Sequence, residues 1–160
     1  MRKSSFNFLK LFLFWIASFL VHRIVFVLYH VTSINQSKLS DYWQIFWHSI
    51  PLDLSMAAYF VAIPVVLFFI TLFFSKTNQL LNFCYPKINY FFIVLISIID
   101  TIDLHIYTEW GTKVNSRAID FLINSPSEAL ASSASSPLLL GISLFLIQLF
   151  LLLWIYHKYI

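Results

Sequence analysis

Charged residues, glycine and cysteine are scarce in this 160-residue sequence, and each scarcity excludes a class of protein. Lys, Arg, Asp and Glu make up 11% of the chain and apolar residues 60%, whereas a soluble domain carries about a quarter charged residues. This is too little polar surface to cover a soluble fold, so the chain is predicted to be an all-α polytopic membrane protein. No run of Lys and Arg follows the pattern that tracks a phosphate backbone, which argues against nucleic acid as a partner.

The two glycines, Gly111 and Gly141, are too few to build a loop that cradles phosphate groups. The sequence also lacks the Walker, zincin and nucleophile-elbow motifs of common enzymes. Cys84 is the only cysteine, so it forms no intrachain disulfide, and it is predicted to lie in a short cytoplasmic loop. The sequence therefore shows no complete catalytic site.

Four continuous apolar runs are long enough to cross a hydrocarbon layer about 30 Å thick, which takes about 20 helical residues. They cover approximately residues 8–29, 52–74, 88–107 and 138–156. None of them alternates with a period of two residues, so membrane strands are not indicated. We expect a single membrane-embedded helical domain with further short amphipathic helices in its two outer loops, at about 40–49 and 116–134.

Local signals mark the helices of the two outer loops. In the first loop, apolar and aromatic residues recur at helical spacing from Trp43 to Ile50. In the second loop, Gly111 is expected to let the backbone leave the third span in a tight turn, and Asn115 or Ser116 can cap the next helix. The buried face of that helix is expected to hold Ile119, Leu122 and Ile123. The segment Ser125-Pro126-Ser127-Glu128 is a capping box with proline at the first helical position, which predicts the start of another helix.

The distribution of positive charge predicts that both ends of the chain lie in the cytoplasm. Six basic residues precede the first span, lie between the second and third, or follow the fourth: Arg2, Lys3, Lys10, Lys76, Lys87 and Lys158. All seven acidic residues fall in the outer loops or towards the outer ends of spans. We therefore expect a multi-pass protein of the cytoplasmic membrane, with the phospholipid bilayer as its main partner.

Charged residues inside the spans are the most informative feature, because an ionised group in hydrocarbon costs a few kcal/mol. Arg23 and Asp100 each lie several residues inside the outer end of a span, so both are predicted to be about 10 Å below the outer surface. Equal depth predicts an ion pair between Arg23 and Asp100. Asp53 and Asp103 are expected to join them in an outward-facing polar cluster. The margin of this cluster would hold His22 and His105.

Several interpretations of this cluster remain open. It could bind a lipid headgroup or a substrate from the outer leaflet, or it could be an ion-pair network that fixes the register of the helices. A metal site made by Asp100, Asp103 and His105 is disfavoured, because Asp103 and His105 point to different faces of their helix. Acid–base catalysis by the two carboxylates lacks a neighbouring nucleophile. We therefore assign no catalytic residue and no metal ligand within this chain.

The stretch DTIDLHIYTEWGTKVNSRAIDFLINSPSEALA, from Asp100 to Ala131, resembles part of the membrane region of lipoteichoic acid synthase-like proteins, in the sulfatase and alkaline phosphatase superfamily. The matching positions are Tyr107, Trp110, Gly111, Asn115, Pro126 and Glu128. The segment Leu52-Asp53-Leu54-Ser55, followed by Tyr59, resembles the start of a span in the same family. The resemblance covers the membrane half of such a protein, about residues 1–160.

This resemblance implies a membrane anchor and lipid-presenting domain at the outer face of the cytoplasmic membrane. The extracellular catalytic domain of the family would carry a Thr nucleophile and a divalent metal, usually manganese. It would transfer phosphoglycerol from a phospholipid substrate, or hydrolyse a phosphate or sulfate ester. None of its catalytic residues has a counterpart here, and four spans leave the C-terminus inside, so a fragment or a degenerate copy is expected. The alternatives are a small transporter or channel subunit with a carboxylate-lined path, and a structural membrane protein that binds a partner.

Overall fold

The computed structural model describes residues 7–31, 39–73, 78–128 and 138–160, and most of these residues are helical. The helices are α1 (Phe8–Tyr29), α2 (Leu39–Phe73), α3 (Asn78–Trp110), α4 (Ser116–Asn124) and α5 (Leu138–Tyr159). Four of them, α1, α2, α3 and α5, are long and apolar enough to cross a membrane. The predicted all-α fold class is confirmed, and the chain is a multi-pass membrane protein with four candidate spans.

The first helix follows the sequence signals closely. It begins at Phe8 because the side chain of Asn7 accepts a hydrogen bond from the backbone N–H of Lys10, at 3.1 Å. It ends at Tyr29, where the backbone N–H of His30 donates to the carbonyl of Phe26. The helix therefore has the bounds that the apolar run predicted.

The second helix is longer than predicted, because the segments expected at about 40–49 and 52–74 form one continuous helix, Leu39–Phe73. Pro51 lies inside this helix and removes only one backbone donor. Trp43 and Trp47 stand one turn apart on α2 with their rings stacked at 6.5 Å between centroids. The aromatic segment of the first outer loop is thus an extension of α2 and not a separate interfacial helix.

The third helix also begins earlier than the apolar run suggested, at Asn78. Cys84 therefore lies within α3, and its prediction as a loop residue was wrong. The helix continues across Pro86, and burial of the neighbouring Tyr85, which is only 9% exposed, offsets part of the cost of the lost backbone hydrogen bond.

The connection between α3 and α4 is a tight capped turn. Gly111 has a φ of +66°, and its backbone N–H donates to the carbonyl of Tyr107 at 2.9 Å. This is the left-handed residue that commonly ends a helix, and glycine adopts it without steric cost. The side chain of Asn115 then accepts from the N–H of Ala118 at 3.1 Å and begins α4. The sequence signals for this turn and for the Asn115 cap are confirmed.

The packed face of α4 differs from the prediction. Ala118 is buried, and the ring of Phe121 packs edge-to-face on Trp110 at 5.6 Å. Ile119 and Ile123, expected to be buried, are 49% and 69% exposed. The apolar arc of this helix is wider than the surface it packs against, so part of that arc faces outward.

The capping box after α4 is described only in part. The backbone N–H of Ser125 donates to Phe121 and ends α4, and residues 126–128 form a helical turn. The remainder of the predicted second loop helix lies outside the described residues.

The described helices belong to two compact units. The first comprises Met1–Ile93 with Leu152–Ile160, and the second comprises Val94–Leu151. In the first unit α1 packs against α2. The indole of Trp15 lies 4.9 Å from the ring of Phe60 and 6.3 Å from that of Phe92, between centroids. The buried residues of α1 recur every three to four positions and so form one face of the helix: Leu11, Phe14, Trp15, Ser18 and His22. In the second unit Leu104 is fully buried.

Candidate functional site

Arg23 of α1 and Asp53 of α2 form an ion pair in the first unit. Arg23 Nη2 lies 2.8 Å from Asp53 Oδ1, and the two side chains are 17% and 16% exposed. Each residue lies in a helix that could cross the membrane. The contact uses one N–H of the guanidinium, and its other N–H groups donate to no acceptor among the described residues. The two charges thus neutralise each other, and the remaining N–H groups of the guanidinium can still donate hydrogen bonds.

Arg23 pairs with Asp53, which the sequence placed in the same cluster, while the predicted pair between Arg23 and Asp100 would join the two units and stays a prediction. The prediction matched the depths of the two backbones along their helices. An arginine carries its charge at the end of a long stem that turns towards the membrane surface, so the guanidinium can reach a shallower carboxylate. Asp100 and Asp103 belong to the second unit, and the gathering of all four residues in one cluster stays a prediction.

Asp103 braces the turn that follows α3. Its Oδ1 accepts a hydrogen bond of 2.7 Å from the backbone N–H of Val114, and its Oδ2 lies 4.0 Å from Lys113 Nζ. The Asp103 side chain is 14% exposed and that of Lys113 is 59% exposed, so the backbone bond is the stronger of the two contacts. Asp103 therefore fixes the path of the chain from α3 towards α4.

Asp100 lies in the second unit with Gln148 of α5 beside its carboxyl group. Gln148 is 3% exposed. Asp100 Oδ2 and both amide atoms of Gln148 are buried without a well-formed hydrogen bond to any described residue. Two polar groups that face one another without completing their bonds are uncommon in a packed interior. In the described part of the second unit, these are the buried polar side-chain atoms that lack a hydrogen-bond partner.

The two histidines expected at the margin of the cluster lie in different units. His22 is buried on α1, beside Arg23 in sequence. His105 is in the second unit, where its Nδ1 bonds the carbonyl of Thr101 at 2.9 Å and its ring lies against Gly141. Both are packed between helices rather than exposed as ligands.

The residues that carry the family resemblance mostly shape the turn. Tyr107 supplies the carbonyl that caps α3, Gly111 takes the left-handed conformation, and Asn115 caps α4. The ring of Trp110 packs on α4 through Phe121. The remaining two motif residues, in the helical turn 126–128, are exposed: Pro126 and Glu128.

Sequence reasoning missed Gln148 and the polar contacts near the other end of α3. The hydroxyl of Tyr90 lies 3.1 Å from His157 Nε2, and the side chain of Asn89 donates to the carbonyl of Tyr85. Gln148 had a detectable signal, since it is a lone polar residue in the run LFLIQLFLLLW. A neutral amide costs less in a span than an ionised group, so the sequence alone did not mark Gln148 as a site residue.

Among the residues that the structure describes, no three His, Cys, Asp or Glu side chains are grouped as a metal site requires. The manganese that the family resemblance implies therefore has no ligand set in this part of the chain. Compared with protein-family models, curated proteins and solved structures, the chain shows no significant match. The family resemblance consequently depends on the sequence motif alone.

Proposed function

We propose that this chain is the membrane anchor and lipid-presenting domain of a lipoteichoic acid synthase-like enzyme of the sulfatase type, acting at the outer face of the cytoplasmic membrane. The chain itself would be catalytically silent. Its role would be to hold a phospholipid headgroup near the outer surface, where a catalytic domain with a Thr nucleophile and a divalent metal could reach it.

One observation carries this proposal: Arg23 is held in a candidate span by Asp53 and still has N–H donors without an acceptor among the described residues. A guanidinium is well suited to a phosphate group, because its planar fork matches two phosphate oxygens. Asp53 fixes the position of Arg23 and also lowers the net charge of the site, so the lipid phosphate would be bound mainly through hydrogen bonds.

The turn from α3 to α4 supports the anchoring role. Asp103, Gly111 and Asn115 each make a contact that fixes the chain between the two helices. In this proposal the turn faces outward and is the platform on which the catalytic domain would rest, and a platform of this kind has to keep its shape.

The proposal is tested by lipid retention. The protein would be reconstituted in nanodiscs of phosphatidylglycerol and phosphatidylcholine in equal amounts, and retained lipids counted by native mass spectrometry. Arg23→Gln removes a hydrogen bond to a charged group, so the affinity for phosphatidylglycerol should fall roughly tenfold and less of this lipid should be retained. Arg117→Gln, which removes an exposed cation of α4, is the matched control and should have little effect.

A double variant distinguishes loss of lipid binding from a folding defect caused by an unpaired charge. Arg23→Gln with Asp53→Asn removes the pair without leaving a stray charge, and it should lose phosphatidylglycerol to the same extent. Unchanged retention in both variants would contradict the lipid-presenting role. Release of diacylglycerol by the purified chain with phosphatidylglycerol and Mn²⁺ would contradict the assignment of catalysis to another domain.

A transporter or channel subunit is the second candidate, and the unsatisfied Asp100 and Gln148 in the second unit favour it. Polar groups inside a span often line an ion path. In proteoliposomes, cation flux down a gradient that is abolished by Asp100→Asn and kept by Asp120→Asn would favour this reading over the anchor. If neither flux nor lipid retention is found, a structural membrane protein that binds a partner remains.

A further inference from the structure

An open groove lies between the first turns of α1 and the last turn of α5, within the first unit. It has a volume of about 300 Å³. The residues that line it are Lys10, Leu13, Phe14, Ile155, Tyr159 and Ile160. Its walls are almost wholly apolar, and the lining residues that carry a polar group on the side chain are Lys10 and Tyr159. An apolar groove with a polar end suits a lipid molecule, whose acyl chains are apolar and whose headgroup is polar.

The floor of this groove is rigid. Phe14 is 6% exposed, and its ring meets that of Tyr156 edge-to-face, 5.7 Å apart, so that α1 and α5 are joined by an aromatic contact. Leu13, on the wall, is 56% exposed and faces the surroundings of the helices. In a span those surroundings are acyl chains, so a chain can enter the groove from the side.

The mouth of the groove is positively charged. The side chain of Lys10 is exposed, and among the described residues its amine forms no ion pair. Lys158 Nζ lies 5.3 Å from the centroid of the Tyr159 ring and 4.7 Å from that of Trp154, which adds a second cation at the rim. None of the described residues that line the groove has an acidic side chain. The local charge thus favours an anion.

The position of the mouth along the helices fits a headgroup. Lys10 is in the first turn of α1, and Tyr159 ends α5, so both lie at an end of a candidate span. A lysine at a span end extends its amine to the level of the lipid phosphates. Basic pockets between spans on the cytoplasmic side commonly bind anionic lipid headgroups.

We propose that this groove binds an anionic glycerophospholipid from the leaflet at the amino-terminal end of α1. One acyl chain lies against Leu13, Phe14 and Ile155, and the phosphate is bound by Lys10 with Lys158 close by. This site is distinct from the outward Arg23 site and needs no catalytic domain.

The site is tested by photocrosslinking in nanodiscs. Phosphatidylglycerol with a photoreactive acyl chain is added as a minor component to phosphatidylcholine, and adducts are mapped by peptide mass spectrometry. We expect adducts on peptides that contain Leu13 and Ile155. Lys10→Gln should lower their yield roughly fivefold, the change expected for loss of one interfacial cation. A photoreactive phosphatidylcholine should give few adducts there.

Three further variants make the test specific. Lys87→Gln removes an exposed cation that lies over Phe83, away from the groove, and should leave the yield unchanged. Leu13→Trp fills the groove but keeps Lys10, and it should lower the yield. Arg23→Gln should not affect it, which separates this site from the proposed function. Equal losses in Lys10→Gln and Lys87→Gln, or an unchanged yield in Leu13→Trp, would overturn the proposal.

Discussion

The imidazole ring of His105 on α3 lies directly against the Cα atom of Gly141 on α5. A Cβ atom at residue 141 would lie 2.8 Å from His105 Cε1 and 3.0 Å from Nε2. The ring cannot easily move, because His105 Nδ1 bonds the carbonyl of Thr101 at 2.9 Å. A carbonyl only accepts, so Nδ1 must carry the proton. Glycine at 141 is therefore what allows the two helices to approach at this point.

A larger side chain at residue 141 should separate these helices. Gly141→Leu is expected to lower the free energy of unfolding by about 1–3 kcal/mol, since overpacking displaces a held ring. Ser143→Leu, at an exposed position of the same helix, should change it little. The measurement is helix loss in mixed detergent micelles, followed by circular dichroism. His105→Ala combined with Gly141→Leu should recover part of the loss, and a loss that stays the same in the double variant would argue against this contact.

The ion pair between Arg23 and Asp53 should appear as a coupling energy. Arg23→Gln and Asp53→Asn should each destabilise the fold, and the double variant should cost less than the sum by roughly 1–3 kcal/mol, because each single change leaves an uncompensated charge. Unfolding in mixed micelles measures all three. The pair Lys10→Gln with Asp53→Asn is the control and should be additive, since Lys10 and Arg23 are about 20 Å apart along α1. Additive losses for Arg23 and Asp53 would be inconsistent with the pair.

The loss of stability on substituting Gly111 should depend only on the backbone conformation at this residue. A Cβ atom there meets nothing within 4 Å, so the cost of Gly111→Ala comes from its φ of +66°. That cost is expected to be about 1–2 kcal/mol. Gly111→Asn should cost less, because asparagine enters the left-handed region more readily. Hydrogen exchange of the α4 amides reports the effect, and faster exchange in the asparagine variant than in the alanine variant would contradict this explanation.

The positions of the spans could be predicted from the sequence, but the full lengths of two helices could not. The apolar runs fix where α1 and α5 lie, because hydrocarbon thickness sets how many apolar residues a span needs. The predicted second and third spans begin at about residues 52 and 88, yet α2 and α3 begin earlier and continue through Pro51 and Pro86. Apolar content alone does not reveal where a helix extends beyond its span, because the added turns before residues 52 and 88 are less apolar than the spans.

The sequence predicted which residues belong to the polar site better than it predicted which of them contact one another. The sequence picked out Arg23 and Asp53 because charges inside spans are costly, and it picked out the Gly111 turn and the Asn115 cap from local chemistry. The choice of Asp53 as partner depends on how far the arginine side chain reaches, which spacing along one helix does not reveal. Gln148 was missed because only its burial beside Asp100 makes it notable.

The proposed function requires that the turn from α3 to α4 lie at the outer face of the membrane. Two single-cysteine variants, Ser127→Cys and Tyr159→Cys, would be made with Cys84→Ser, since both positions are exposed. The measurement is reaction with a membrane-impermeant thiol reagent in intact cells and after permeabilisation. The account predicts that Ser127→Cys is labelled in intact cells and that Tyr159→Cys is labelled only after permeabilisation. The reverse pattern would place the Arg23 site at the cytoplasmic side and contradict the proposed function.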